Sequence, residues 1–266
     1  MLRKHFTRGI LCAVAASALH LGVVSYASAA EDGGVPKHVI LARQVVDNIK
    51  PENNSYSNSN RYVRVPGDFL STGYTVRTDC TGFVFDMLER NGYRIRFSSK
   101  AFSDRYGIAD TVDGIRKNET FDRVALVPDL RVGDVVAWKY MDGANSRGLS
   151  GHIVMVNQPP VRVDKPTQQA IEAGLVMWSV EVIDSSTGPA SPDDTRYVQG
   201  TSAHDAANAL NAQKPQKLNG VGRGRFYLYA DAGGALKAVS YGFRKAPLKY
   251  DDVDWAIAMG RPRDRK

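Results

Sequence analysis

The chain has 266 residues, of which 43% are hydrophobic, with a formal net charge of +7 and only two cysteines. This length fits one generous domain, or one domain with insertions, and its core can be large enough to need no disulfide. The basic balance does not point to nucleic acid, because no basic run is interleaved with aromatic residues.

Residues 1–30 read as an export signal. Arg3, Lys4 and Arg8 give a positive start, residues 9–24 an apolar run, and Ala27-Ser28-Ala29 the small-residue cleavage pattern. The apolar run is short of the roughly 20 residues that a membrane span needs, so a cleaved leader is expected rather than an anchor. Leu11 stands before Cys12 where a lipidation signal has a small residue. The leader carries three of the bases and no acid, so its loss takes the formal charge from +7 to +4. Residues 31–266 are then one exported domain, periplasmic or secreted and monomeric, with Cys80 as its lone thiol. In an oxidising compartment such a thiol is a liability unless it is buried or used.

The spacing of Val39, Leu41, Val45, Val46 and Ile49 predicts a helix over 37–49, ended by Pro51 and a polar loop. A second helix is predicted over 80–90, with Asp79 as N-cap and Asn91-Gly92 as stop. "YRIRF" (93–97) alternates like a short strand, and 100–118 has a helical pattern. Strand-like runs follow at 133–138, 151–157, 178–184, 225–231 and 235–241, the last two joined by a hairpin at Ala232-Gly233-Gly234. "DWAIAMGRP", near the end, reads as an edge strand. Residues 158–177 and 187–220 look like insertions. Helices first and antiparallel strands after suggest an α+β fold. "GVGRGRF" (220–226) has alternating glycines but lacks the strand–helix context of a phosphate loop.

The chemistry turns on Cys80. A free thiol has a pKa of about 8.5, so little of it is thiolate at neutral pH. Lowering that value by two units takes about 2.7 kcal/mol, whereas a helix N-terminus supplies about 0.3–1 kcal/mol. Asp79 opposes the thiolate charge. A nucleophilic Cys80 therefore needs an imidazole. The candidates are His38, His152 and His204. His152 opens an apolar strand after Gly151, where a rigid ring with room beside it is expected. Asp184 ends another strand and could hold the second ring nitrogen of His152. Each residue taken alone has a plainer reading: Cys80 as core packing, Asp184 as a turn cap through Ser185 and Ser186.

Four segments in order, "DCTGFV" (79–84), "LRVGDVVAW" (130–138), "SGHIVMV" (150–156) and "VEVIDSS" (180–186), resemble the NlpC-type cell-wall cysteine peptidases. The resemblance implies a papain-like core, with a nucleophile helix packed on an antiparallel sheet. It implies Cys80 as nucleophile, His152 as general base and acid, and Asp184 as the residue that orients the ring. The Cys80 N–H would serve the oxyanion, with Asp79 as structural support. An upstream tyrosine, Tyr62 or Tyr74, would line the site, and Arg61, Arg64 and Arg77 could pair with substrate carboxylates. Aspartate at the third position and the 31 residues between His152 and Asp184 depart from the family pattern. The implied function is hydrolysis of an amide bond in a peptidoglycan stem peptide or another envelope peptide, without metal or cofactor. Acyl transfer by the same pair is one alternative. A catalytically inert envelope binding protein, using "TGPASPDDTRYVQG" for a partner, is another.

Overall fold

The computed structural model describes residues 34–69, 71–98, 107–140, 151–197, 216–243, 246–252 and 255–263. Residues 1–33, among them the expected leader, residues 141–150 and His204 lie outside the described residues.

Helix α1 (Lys37–Asn48) buries His38, Val39, Ala42 and Val45 along one side. A 3-10 turn at Pro51–Asn53 leads into three short strands, β1 (Asn54–Tyr56), β2 (Tyr62–Arg64) and β3 (Thr75–Thr78). They form a small mixed sheet in the order β1-β3-β2, with β1 parallel and β2 antiparallel to β3. Helix α2 (Cys80–Arg90) follows directly. The Tyr93 N–H reaches the Leu88 carbonyl (3.2 Å), the Gly92 N–H reaches the Glu89 carbonyl (3.1 Å), and Gly92 has φ +89°. This is the Schellman closure that a glycine after the helix permits.

Residues 93–97 form no strand, contrary to the sequence expectation. Their alternation is real, with Ile95 and Phe97 buried. The pairing is to a side chain instead: the Arg96 N–H donates to Thr120 Oγ1 (3.0 Å) and the Thr120 hydroxyl donates to the Arg96 carbonyl.

After α3 (Ile108–Arg116) come β4 (Phe121–Val124), β5 (Val135–Tyr140), β6 (Gly151–Val156), β7 (Val161–Arg162) and α4 (Gln168–Glu172). The chain continues with β8 (Val176–Ser186), β9 (Gly220–Ala230), β10 (Leu236–Tyr241), β11 (Lys249–Tyr250) and β12 (Trp255–Pro262). These nine strands make one antiparallel sheet ordered β11-β10-β9-β8-β6-β5-β12-β4, with β7 paired to β8. β12 is central rather than an edge strand, because it pairs with both β5 and β4. The glycines of 220–226 lie in β9 and not in a phosphate loop.

The sheet curls. Leu126, just past β4, bridges to Ala235 in the β9–β10 turn, and Lys249 of β11 lies over the Trp255 ring of β12. Two cores result. Val39, Phe83, Val84, Met87, Val112 and Ile115 of α1–α3 pack with Ala137, Ile153, Met155 and Ile183 on one face. Val136, Trp138, Val154, Val182, Phe226 and Ile257 pack on the other. Burial on both faces explains why β5 and β6 read as unbroken apolar runs. The architecture is mixed α+β, with helices on an antiparallel sheet.

Candidate active site

Cys80 is the first residue of α2. Asp79 caps the helix, its Oδ1 accepting from the Gly82 N–H (2.7 Å) and from the Thr81 hydroxyl (3.0 Å). Its other oxygen takes an ion pair from Arg61. The Asp79 charge that would oppose a thiolate is thus matched by a guanidinium. Helix geometry gives the Cys80 N–H no acceptor inside α2, leaving a donor free next to the sulfur.

His152 enters from the start of β6. Gly151 before it has φ +128°, and a Cβ there would meet the Trp138 carbonyl oxygen at 2.1 Å. Only glycine lets β6 approach β5 this closely. Trp138 pairs with His152 across the strands. The ring lies 5.4 Å from the Trp138 ring and 6.3 Å from Phe226, stacked on the latter. At the far end of the same strand, Gly133 (φ +91°) donates to the Val156 carbonyl (2.9 Å). Asp134 there is held by two hydrogen bonds from Arg261, at 2.9 and 2.8 Å. The Gly-Asp pair is thus a structural clamp on β6.

The β6–β8 register pairs Met155 with Ile183 and Val156 with Val182. Continued along the strands, it sets Ser186 opposite His152, with Asp184 one diagonal away on the same face. A diagonal neighbour is within side-chain reach. The His152 Nε2–H donates to Asp184 Oδ2 at 2.5 Å, which leaves Nδ1 for the hydrogen bond that the ring shares with Cys80. Ser185, next to Asp184, donates to the Thr78 carbonyl (2.8 Å), tying β8 to the segment that leads into Cys80.

All three side chains are nearly sealed, Cys80 at 5%, His152 at 7% and Asp184 at 0% exposure. Burial alone would lower the basicity of His152. The charge of the Cys80 thiolate and the bonds to Asp184 and Cys80 outweigh it and raise the pKa to about 10. Burial would likewise raise Asp184, but the Arg196 guanidinium and His152 hold its carboxyl below the usual range.

Arg196 is the residue that sequence reasoning missed. Its side chain is 1% exposed and forms a two-pronged pair with Asp194, Nε to Oδ1 at 2.9 Å and Nη2 to Oδ2 at 2.7 Å. Nη2 also lies 2.8 Å from Asp184 Oδ1, in ion-pair contact but without hydrogen-bond geometry. Nη1 bonds the Ser186 hydroxyl. The Asp194 oxygens are completed by the N–H groups of Ala190 and Arg196. The polar stretch assigned to an insertion therefore returns to the back of Asp184 and fixes it. The ring, the acid and the guanidinium form one buried chain of alternating charge.

The structure brings Cys80, His152 and Asp184 together. It does not place Tyr62, Tyr74 or Arg77 in the walls of the cavity beside His152. Tyr62 is 40% exposed on β2 with Arg64 over its ring, Tyr74 packs on the helical core, and Arg77 is an exposed β3 residue. Arg61 is engaged by Asp79. Tyr56 and Tyr241 supply the aromatic walls instead. Burial first raises both phenols above the usual range, Tyr241 to about 12; the next contribution is the Cys80 charge at Tyr56 and the Asp184 charge at Tyr241. Tyr56 is set by Asn54, whose amide bonds both the N–H and the carbonyl of Val221 at 2.8 Å, extending β1 against β9. His38 serves elsewhere: its Nε2 bonds the Gly133 carbonyl at 3.1 Å.

The cavity is about 150 Å³, walled by Tyr56, Trp138, Tyr140, Gly151, His152, Ser186, Thr187, Tyr241, Lys249 and Trp255. It reaches the imidazole but does not count Cys80 among its walls. No protein-family model and no solved structure matches the chain. The chain is similar to Uncharacterized protein R653 of Acanthamoeba polyphaga mimivirus. The two are 26% identical over 240 residues, covering 86% of this chain and 98% of that protein. The similarity thus extends well outside the 79–186 interval that holds the cysteine, histidine and aspartate.

Proposed function

We propose that the protein is an exported cysteine hydrolase that cleaves amide bonds through Cys80, His152 and Asp184, on a papain-like core. One observation carries the reading: a single buried imidazole links the lone thiol to a carboxylate that is itself held by a buried arginine. A cysteine that serves only as packing needs none of these partners.

The resting pair is thiolate and imidazolium. The Cys80 sulfur attacks the acyl carbon, and the carbonyl electrons move to oxygen, which the Cys80 N–H receives. His152 passes its proton to the leaving amine, and the C–N bond breaks to leave a thioester. Water gives a proton to the neutral His152 and adds to the thioester, whose C–S bond breaks to release the acid and restore the thiolate–imidazolium pair. Asp184 keeps Nε2 protonated and the ring aimed, so Nδ1 is the nitrogen that exchanges protons with the sulfur and the substrate.

The substrate class rests on the resemblance to NlpC-type peptidases: a peptidoglycan stem peptide, met outside the cytoplasm. Cell-wall sacculi incubated with wild-type protein should yield new peptide fragments that Cys80→Ala does not produce. Equal fragments from both proteins, or none from either, would overturn the hydrolase reading.

A further inference from the structure

Lys249 sits in the wall of the His152 cavity. Its ammonium lies 4.2 Å from the Tyr241 ring centroid and 5.6 Å from that of Trp255, and the Tyr140 ring lies tilted against Trp255 with 3.8 Å between centroids. Among the described residues no carboxylate pairs with it. Other cations removed from full exposure are matched: the buried Arg196 by Asp184 and Asp194, and the partly buried Arg61 by Asp79. Among the described residues, the cavity walls contain no acid. Asp184 lies behind the imidazole and is already shared between His152 and Arg196.

We propose that Lys249 is the specificity residue of the cleft and takes a carboxylate that the substrate carries close to the bond attacked by Cys80. This rests on the Cys80–His152 pair being the reactive centre. A single ammonium with no acid beside it among the described residues matches a singly charged anion. The aromatic rings on either side hold it in place without neutralising it. Burial without a counter-ion lowers the Lys249 pKa to about 8, a cost that a bound carboxylate would offset. The substrate has a route onward. A second cavity of about 420 Å³ shares the walls Ser186, Thr187 and Tyr241 and continues past Pro189, Phe243 and Ala246. A chain whose carboxylate sits on Lys249 can extend along it.

Iodoacetate and iodoacetamide test this without a known substrate. They differ in carrying a carboxylate or a neutral amide. Each reacts in the same way: the Cys80 thiolate forms a bond to carbon and iodide leaves. The ratio of their rates cancels any change in the thiol itself. Lys249→Met should lower the iodoacetate-to-iodoacetamide ratio by about tenfold, the size expected for losing one nearby charge in a partly enclosed site. Lys249→Arg should keep the ratio high. Lys237→Met removes an exposed lysine that pairs with Asp231 on β10 and should leave the wild-type ratio unchanged. Lys249→Gln gives a second neutral variant should the methionine form fail to fold. An unchanged ratio in the neutral variants would overturn the assignment of Lys249 while leaving the reactive pair intact. Failure of both reagents to modify Cys80 in wild-type protein would overturn the reactive pair, and the role of Lys249 with it.

Discussion

His38 makes the acid sensitivity of the fold calculable. It is 2% exposed, and its Nε2 bonds the Gly133 carbonyl that precedes the Asp134 clamp on β6. Its Nδ1 is buried without a hydrogen-bond partner among the described residues. Burial lowers its pKa from 6.5 to about 4, and the Gly133 bond offsets only part of that. The unfolded chain binds a proton near pH 6.5 that the folded chain refuses until about pH 4. Stability is therefore intact above 6.5 and falls as pH drops through this window. Linkage puts the loss at about 2 kcal/mol between pH 7.5 and pH 5, and about 3.4 kcal/mol once both states are protonated. His38→Gln keeps a donor for the Gly133 carbonyl but cannot titrate. Thermal unfolding at both pH values should show the wild-type midpoint falling further than the variant's, by about 4–8 °C for a domain of this size. His152, with its raised pKa, acts in the opposite direction. Its share is present below pH 6.5 and lost as pH rises toward 10, in wild type and variant alike. Parallel pH profiles for the two proteins would refute the reasoning.

Two further substitutions probe the site's support. Arg196→Met leaves the buried carboxylates of Asp184 and Asp194 without their shared cation and should cost about 3–5 kcal/mol in denaturant unfolding. Arg196→Lys, which cannot make the two-pronged contact, should recover only part of it. Gly151→Ala forces a Cβ toward the Trp138 carbonyl at a φ reserved for glycine and should cost about 1–3 kcal/mol. It should also abolish Cys80-dependent product by moving the His152 ring off the sulfur; full activity in this variant would contradict the close approach of β5 and β6.

The parts of this architecture legible in the sequence are those fixed by local rules. Asp79 before an apolar helix gives the cap on Cys80, Asn91-Gly92 gives the Schellman end, and the run after Gly151 gives β6. What escaped depends on pairing between distant segments. Tyr56 lies in a polar stretch of sequence with no periodic signal, and it reaches the cleft because Asn54 reproduces a strand's hydrogen bonds to Val221. Arg196 sits in a stretch rich in turn residues, where a charged side chain ordinarily faces water. Its burial follows from two acids, one of them on β8. From sequence alone β12 reads as an edge strand because it comes last. Its consecutive apolar and small residues, buried from Ala256 to Gly260, carried the signal of a strand covered on both faces.

Titration of the His152 ring by NMR on isotope-labelled imidazole, in wild type and in Cys80→Ala, tests the central claim most directly. The ion pair predicts a wild-type ring that stays protonated through neutral pH and titrates near 10, and a clearly lower value once the sulfur is gone. A wild-type ring that titrates near its ordinary 6.5, or one unmoved by loss of the thiol, would contradict it.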